Sequence, residues 1–207
     1  QDEMMLFTKN GLCNRFILDG NIRVFVGRNS NGVRGIKLQD KDEVISMTVL
    51  SAVTKSTPEE RVQYIKMSNK LRAENQDAVD SDEDVSDGET LAGKDLTAER
   101  FNEMAAEEQF ILTITEKGFG KRSSSYTYRA SNRGTQGYKS IIVNDRNGGV
   151  ISSFPVENGD EIMLVTDGGQ LIRCPIQDVR ITGRATQGVI LFRVKGKEKV
   201  VAVSRIP

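Results

Sequence analysis

Histidine and tryptophan are absent, and proline occurs four times in 207 residues. Without imidazole, histidine metal sites and histidine acid–base catalysis are excluded. The two cysteines, Cys13 and Cys174, have no CxxC spacing and stand at different offsets in their surroundings, so free thiols are expected rather than a disulfide. No apolar run reaches the roughly 18 to 20 residues of a membrane span, and the start "QDEMMLFTKNG" has no basic-then-apolar leader. The chain therefore reads as soluble and unexported, or as a piece of a longer one. P-loop, G-x-S-x-G and metal-cluster patterns are missing as well. The carboxylate pairs Asp160/Glu161 and Asp42/Glu43 sit at polar entrances to apolar runs and read as solvated turn residues. Tyr126, Tyr128 and Tyr138 have no neighbouring base to activate them.

What is present is repetition. "RNSNGVR" (28–34), "RGTQGYK" (133–139) and "RATQGVI" (184–190) are three versions of one loop, each with an arginine four residues before a glycine. Upstream of each, an apolar run meets a polar turn ending at Gly11, Gly118 or Gly169, with an arginine four residues later at Arg15, Arg122 or Arg173. Asn-Gly and Asp-Gly turns between strand-like runs predict hairpins, with type I′ geometry expected. A third series, "EVISMTV", "GVISSFPV" and "KVVAVSRI", aligns on Val44, Val150 and Val200. Each unit thus predicts about four short strands, the size of a propeller blade. The expected fold is all-β: three four-stranded blades at 1–54, 109–157 and 158–207, interrupted by an insert at 55–108. The runs Met4–Phe7, Phe110–Ile114 and Ile162–Val165 are the candidate central strands, buried on both sides.

The zero net charge conceals an asymmetry, because residues 55–108 hold fifteen acids and seven bases while the remainder holds 22 bases and 14 acids. Within the insert, Thr57, Pro58 and Glu60 form a capping-box start for a short, weakly amphipathic helix with Tyr64, Met67 and Leu71 on one stripe. A second helix is expected over 98–106. Residues 73–95 are too polar to offset chain entropy and are expected to be disordered. Two readings of Asp77–Glu89 stay open: a competitor folding over basic surface, or a solvated linker.

In a blade array, equivalent positions fall on the same rim. The arginines Arg15, Arg122 and Arg173, with Lys121 beside the second, form one recurrent set; Arg28, Arg133 and Arg184 form another; Arg34 and Lys139 follow the loop glycines. A stripe of guanidinium groups suits phosphate, whose geometry the planar fork matches. The loop set is assigned to nucleic acid. For the strand-borne set, phosphate binding and structural pairing between blades stay equally open. Aromatic residues are not interleaved with the bases, so duplex DNA read through its backbone is the expected ligand. Bending 20 to 30 base pairs costs on the order of 1 to 6 kcal/mol, which several phosphate contacts can offset.

The stretches "GFGKRSSSYTYRASNRGTQGYKSIIV", "DEIMLVTDGGQLIRCPIQDVRITGRATQGVILFRV" and "NSNGVRGIKL" closely resemble the family of DNA gyrase A C-terminal domains. The resemblance covers nearly all of 1–54 and 109–207. It implies the last three blades of a six-bladed β-pinwheel, a propeller-like spiral whose blades exchange strands. It also implies a non-catalytic DNA-wrapping module serving an ATP-dependent type II topoisomerase in the bacterial cytoplasm, at the nucleoid. Its partners would be duplex DNA, the remainder of the gyrase A polypeptide and gyrase B. ATP and magnesium would bind elsewhere in that enzyme, leaving this segment without cofactor. The family's basic box, Q-R-R-G-G-K-G, is not in this sequence, and "RGTQGYK" is a weak echo of it. The alternatives are the equivalent domain of topoisomerase IV and a protein-binding propeller whose basic rim faces an acidic partner.

Overall fold

The computed structural model describes residues 2–18, 22–50, 56–74 and 96–207. Each expected hairpin forms. β1 (Glu3–Thr8) pairs antiparallel with β2 (Leu12–Ile17) and, on its other side, with β3 (Val44–Leu50). The insert helices α1 (Pro58–Glu74) and α2 (Ala98–Glu107) follow. Then β4 (Phe110–Thr115) pairs with β5 (Phe119–Ser124) and, beyond the two-residue β6 (Tyr138–Lys139), with β7 (Val150–Val156). In the third unit β8 (Glu161–Thr166) lies between β9 (Leu171–Pro175) and β11 (Val200–Ile206), with β10 (Val189–Ile190) between them in sequence. β3, β7 and β11 begin at Val44, Val150 and Val200, where the sequence alignment starts them.

The turns differ from the type I′ expectation. At each, the glycine N–H bonds back three residues: Gly11 to Thr8 at 3.0 Å, Gly118 to Thr115 at 3.1 Å and Gly169 to Thr166 at 3.0 Å. Type I′ needs positive φ at both central residues, yet among the described residues Lys41 is the one non-glycine with positive φ. The glycine alone carries the left-handed conformation, as in a three-residue loop closed by a glycine bulge.

The sheets do not follow the sequence units. β6 pairs with β2, Tyr138 opposite Cys13 and Lys139 opposite Leu12, so the second unit supplies the fourth strand of the first sheet. β10 pairs with β5 in the same way, Val189 opposite Gly120. Two sheets accordingly have four strands, in orders β3-β1-β2-β6 and β10-β5-β4-β7. The third, β11-β8-β9, has three strands among the described residues rather than the expected four.

Stacking of sheet on sheet makes the core. Met5, Phe7, Cys13 and Leu50 meet Ile111, Tyr128 and Tyr138 between the first two sheets. Leu112 and Ile114, pointing the other way from β4, meet Ile162, Leu164, Ile176 and Val179 of the third unit. Strand β4 is therefore buried on both faces, whereas β8 alternates buried and half-buried residues.

The insert begins as expected: the Thr57 N–H donates to Glu60 Oε2 at 2.8 Å, and the Glu60 N–H donates to Thr57 Oγ1 at 3.2 Å. α1 is longer than foreseen and is not sided by the Tyr64, Met67, Leu71 stripe. It buries Val62, Tyr64, Ile65 and Ser68, while Leu71 is exposed. Tyr64 stacks on Phe101 of α2 at 4.9 Å and meets Tyr126 edge-on at 5.0 Å, which draws the polar neighbours into contact with the second unit. The expected disorder beyond Glu74, and with it the acidic run Asp77–Glu89, lies outside the described residues.

Candidate nucleic-acid interface

The strand-borne arginines do not form an outer stripe. Arg15 and Glu3 pair with side chains only 1% exposed. The same guanidinium donates through Nη1 to the carbonyls of Ser125 (2.7 Å) and Tyr128 (2.9 Å), at the 3-10 turn Ser125–Thr127 of the next unit. Arg122 repeats the arrangement one unit on: Nε donates to Val179 O at 2.7 Å, just past the 3-10 turn Ile176–Asp178, and Nη1 to Asn158 Oδ1 at 2.8 Å. Arg173, third in the series, pairs with Glu161 of its own sheet and remains exposed. Arg15 and Arg122 are thus structural staples between units. Of the two readings left open for them, phosphate binding and structural pairing between units, their burial and their bonds to acceptors of the following unit favour the second.

Lys121 is likewise inside. Its ammonium donates to Gly183 O at 2.8 Å, to Arg184 O, and to Thr186 Oγ1 at 3.4 Å. Asn14, one unit earlier, holds the matching loop by donating to Asn132 O at 3.3 Å and accepting from Thr135 Oγ1 at 3.0 Å. A lysine and an asparagine share one task, gripping the loop of the next unit. The identities differ, which is why the sequence alignment did not single the position out.

The three loops abut one another. The Lys37 N–H donates to Thr135 O at 2.8 Å, and the Ile142 N–H donates to Thr186 O at 3.0 Å, linking loop one to two and two to three. The loop arginines bridge them too: Arg133 Nη1 donates to Arg34 O at 3.2 Å, and Arg184 Nη1 to Lys139 O. Their environments then diverge. Arg184 is buried over the Tyr138 ring, 5.0 Å from its centroid, so its assignment to the outer rim is also corrected. Arg28, Arg34, Arg133 and Lys139 are exposed. Two cations that the repeat pattern missed join them. Lys37 is exposed beside the Arg34 loop, and exposed Arg129 lies 5.3 Å from the centroid of the Tyr138 ring. Each has a basic counterpart in the third unit, Arg193 for Lys37 and Arg180 for Arg129, though not in all three units. In the third loop Ile190 replaces Arg34 and Lys139, and the exposed cation that follows is Arg193, three residues on.

The tyrosines hold structure. Tyr138 donates to Arg129 O at 2.7 Å and Tyr126 to Met104 O at 2.9 Å, while Tyr128 lies 3.4 Å from Ser140 Oγ. Burial pushes the phenols of Tyr128 and Tyr138 above their ordinary value, and also raises Cys13 to about 12. Both cysteines are free thiols. Among the described residues no helix is long and apolar enough to cross a membrane, and no cluster of three potential metal-ligating side chains occurs.

Comparison with known proteins gives a consistent family match. A family model described as the DNA gyrase C-terminal domain, beta-propeller, matches residues 2–51, 109–157 and 160–207, leaving out the insert. The DNA gyrase A subunit of Rickettsia bellii is 47% identical over 205 residues, covering 99% of this chain and 22% of that protein. The DNA gyrase A subunit of Haemophilus influenzae is 34% identical over 207 residues, covering 99% of this chain and 20% of the relative. The chain thus spans about a fifth of the length of these curated relatives. A solved DNA gyrase A C-terminal domain covers all of this chain and 51% of its own, with TM-score 0.66 at 18% identity. The C-terminal domain of DNA topoisomerase IV gives TM-score 0.67 at 14% identity, covering all of this chain and 47% of its own. At such identities the structural likeness concerns the fold.

Proposed function

The chain belongs to the family of DNA gyrase C-terminal β-propeller domains, and from that premise we propose that it binds and bends duplex DNA along its abutting loops. The observation that carries this reading is the group of exposed cations Arg28, Arg34, Lys37, Arg129, Arg133 and Lys139 on two loops hydrogen-bonded side by side. Such a group neutralises phosphates without reading bases. The mechanism is electrostatic: the loop guanidinium groups release counterions on contact, and the stacked sheets behind them keep their spacing against the elastic resistance of the duplex. Arg15, Lys121, Arg122 and Arg184 contribute by stiffening the junctions. In the longer protein this segment works with the rest of the gyrase A polypeptide and with gyrase B in ATP-driven negative supercoiling in the bacterial cytoplasm. ATP and magnesium are assigned to other parts of that enzyme.

The test is titration with a duplex of about 30 base pairs at rising salt. Log affinity is expected to fall linearly with log salt, at a slope near −0.9 per phosphate neutralised. The triple variant Arg34→Ala, Arg133→Ala, Lys139→Ala should flatten the slope by about 0.9 for each lost contact. No binding at low salt would favour the protein-partner reading. The topoisomerase IV alternative has its support in the fold likeness alone, whereas the curated relatives at 47% and 34% identity are gyrase polypeptides.

A further inference from the structure

The insert meets the second unit at two positions where the other units carry polar residues. Counting from the hairpin glycines, Tyr126 has Gln177 as its counterpart in the third unit, and Phe110 has Glu3 in the first and Glu161 in the third. Gln177 is exposed, and the two glutamates pair with Arg15 and Arg173. Tyr126 instead lies in an apolar cluster with Tyr64 and Ile65 of α1 and Met104 of α2, its hydroxyl donating to Met104 O. Phe110 carries the Arg72 guanidinium of α1 over its ring, 5.4 Å from the centroid. Aromatic side chains thus stand where the insert docks, in the unit that it adjoins.

Both positions belong to a junction between units. The turn that presents Tyr126 is the one whose carbonyls, at Ser125 and Tyr128, accept from Arg15 of the first unit. It is tied to the end of the insert as well, the Ser125 N–H donating to Gln109 O at 2.8 Å. Phe110 packs against the core between the second and third sheets, and the staple Arg122 lies 5.8 Å from the centroid of the same ring. The main chain of Arg122 bonds the third unit in both directions: its N–H donates to Arg180 O and its carbonyl accepts from the Thr182 N–H, each at 2.9 Å. Glu108 stands between the two positions. Its side chain is 6% exposed and accepts from the Tyr64 hydroxyl at 2.8 Å and from Arg72 Nη2 at 3.0 Å.

We infer that the docked insert is a strap over both junctions, and that by holding them it sets how sharply a bound duplex is bent. The bending half of this rests on the DNA reading above. A duplex drawn around the loops resists elastically, and the stack yields where its joints open most easily. Arg15 and Arg122 hold the two joints from within. The strap holds the same turn and the same ring from the insert side, so opening a joint also separates aromatic contacts of the insert. None of the loop cations Arg28, Arg34, Lys37, Arg129, Arg133 and Lys139 belongs to the insert. Undocking it therefore changes the bend and leaves the number of neutralised phosphates as it was.

Tyr126→Gln gives the second turn the residue of the third, and Phe101→Asp removes the α2 ring stacked on Tyr64; each should undock the strap. The second change lies outside the sheets and serves should the first fail to fold by circular dichroism. In the DNA-free chain, hydrogen exchange at the Tyr128, Arg122 and Thr182 amides should quicken by roughly tenfold, as the loss of an aromatic pair allows. The Gly169 amide, bonded within the third hairpin, should keep its rate. Ligase closure of linear fragments of about 150 base pairs, one persistence length, reads bending without a fixed site. The parent should speed closure and the variants severalfold less, while the salt slope of duplex binding matches the parent's. Unchanged exchange at the junction amides would overturn the inference, and so would faster exchange with closure as fast as the parent's or faster. A parent that binds no duplex, or binds without speeding closure, would overturn the DNA reading and the bending with it, while the exchange rates still decide whether the insert straps the junctions.

Discussion

Arg15 and Arg173 occupy the same place in their units and have opposite fates, and the difference is measurable. Removing Arg15 leaves the Glu3 carboxylate buried without its partner and strips two carbonyls of their donor. Arg15→Met should cost about 3 to 5 kcal/mol in urea unfolding, whereas Arg173→Met should cost no more than about 1 kcal/mol, because its pair with Glu161 is solvated. The buried phenols have their own signature. Tyr128 and Tyr138 are raised above the ordinary 10.0, chiefly by burial. Folding therefore holds protons that the unfolded chain releases, so their contribution to stability is complete below about pH 10 and declines as pH rises towards the folded values. Phenolate absorbance from these residues should appear together with unfolding rather than before it. Cys13, at about 12 and buried, should resist alkylation at mildly alkaline pH longer than half-buried Cys174, whose thiol is raised by partial burial and by the Asp178 charge.

The hairpin is the element on which the stack depends. Gly11, Gly118 and Gly169 all have positive φ, so alanine at any of them carries the left-handed penalty of roughly 1 to 2 kcal/mol. At Gly11 and Gly118 the new methyl also meets a backbone carbonyl of the donated strand, while at Gly169 it meets nothing. Gly11→Ala and Gly118→Ala should therefore lower the thermal midpoint clearly more than Gly169→Ala, and the excess measures strand donation. At the start of α1, Thr57→Ala should cost about 1 kcal/mol of helix stability by removing the acceptor for the Glu60 N–H. Faster hydrogen exchange at that amide would report it.

For the molecule as a whole, the separation of interior cations from exposed ones predicts independent effects on folding and binding. The Arg34, Arg133, Lys139 triple alanine variant should lose salt-dependent DNA affinity while its thermal midpoint stays within a degree or two of the parent, as surface substitutions do. Lys121→Ala should show the reverse order of effects, since its ammonium holds the third loop from within. Local physics made much of this architecture readable from the residues. The three units, the starts of β3, β7 and β11 and the capping box at Thr57 follow from backbone preferences and short-range hydrogen bonds that act within a few positions. The exchanged strands β6 and β10 are two residues long, with no periodicity to register, and were anticipated through family likeness alone. Which recurrent arginines would face solvent was not legible either. Arg15 is sheltered by carbonyls 110 and 113 residues away, and a guanidinium will enter the interior only where such acceptors await it. Composition and repeat spacing thus settled the three-unit β architecture, whereas the stacking of one unit on the next decided which cations became staples and which remained on the surface.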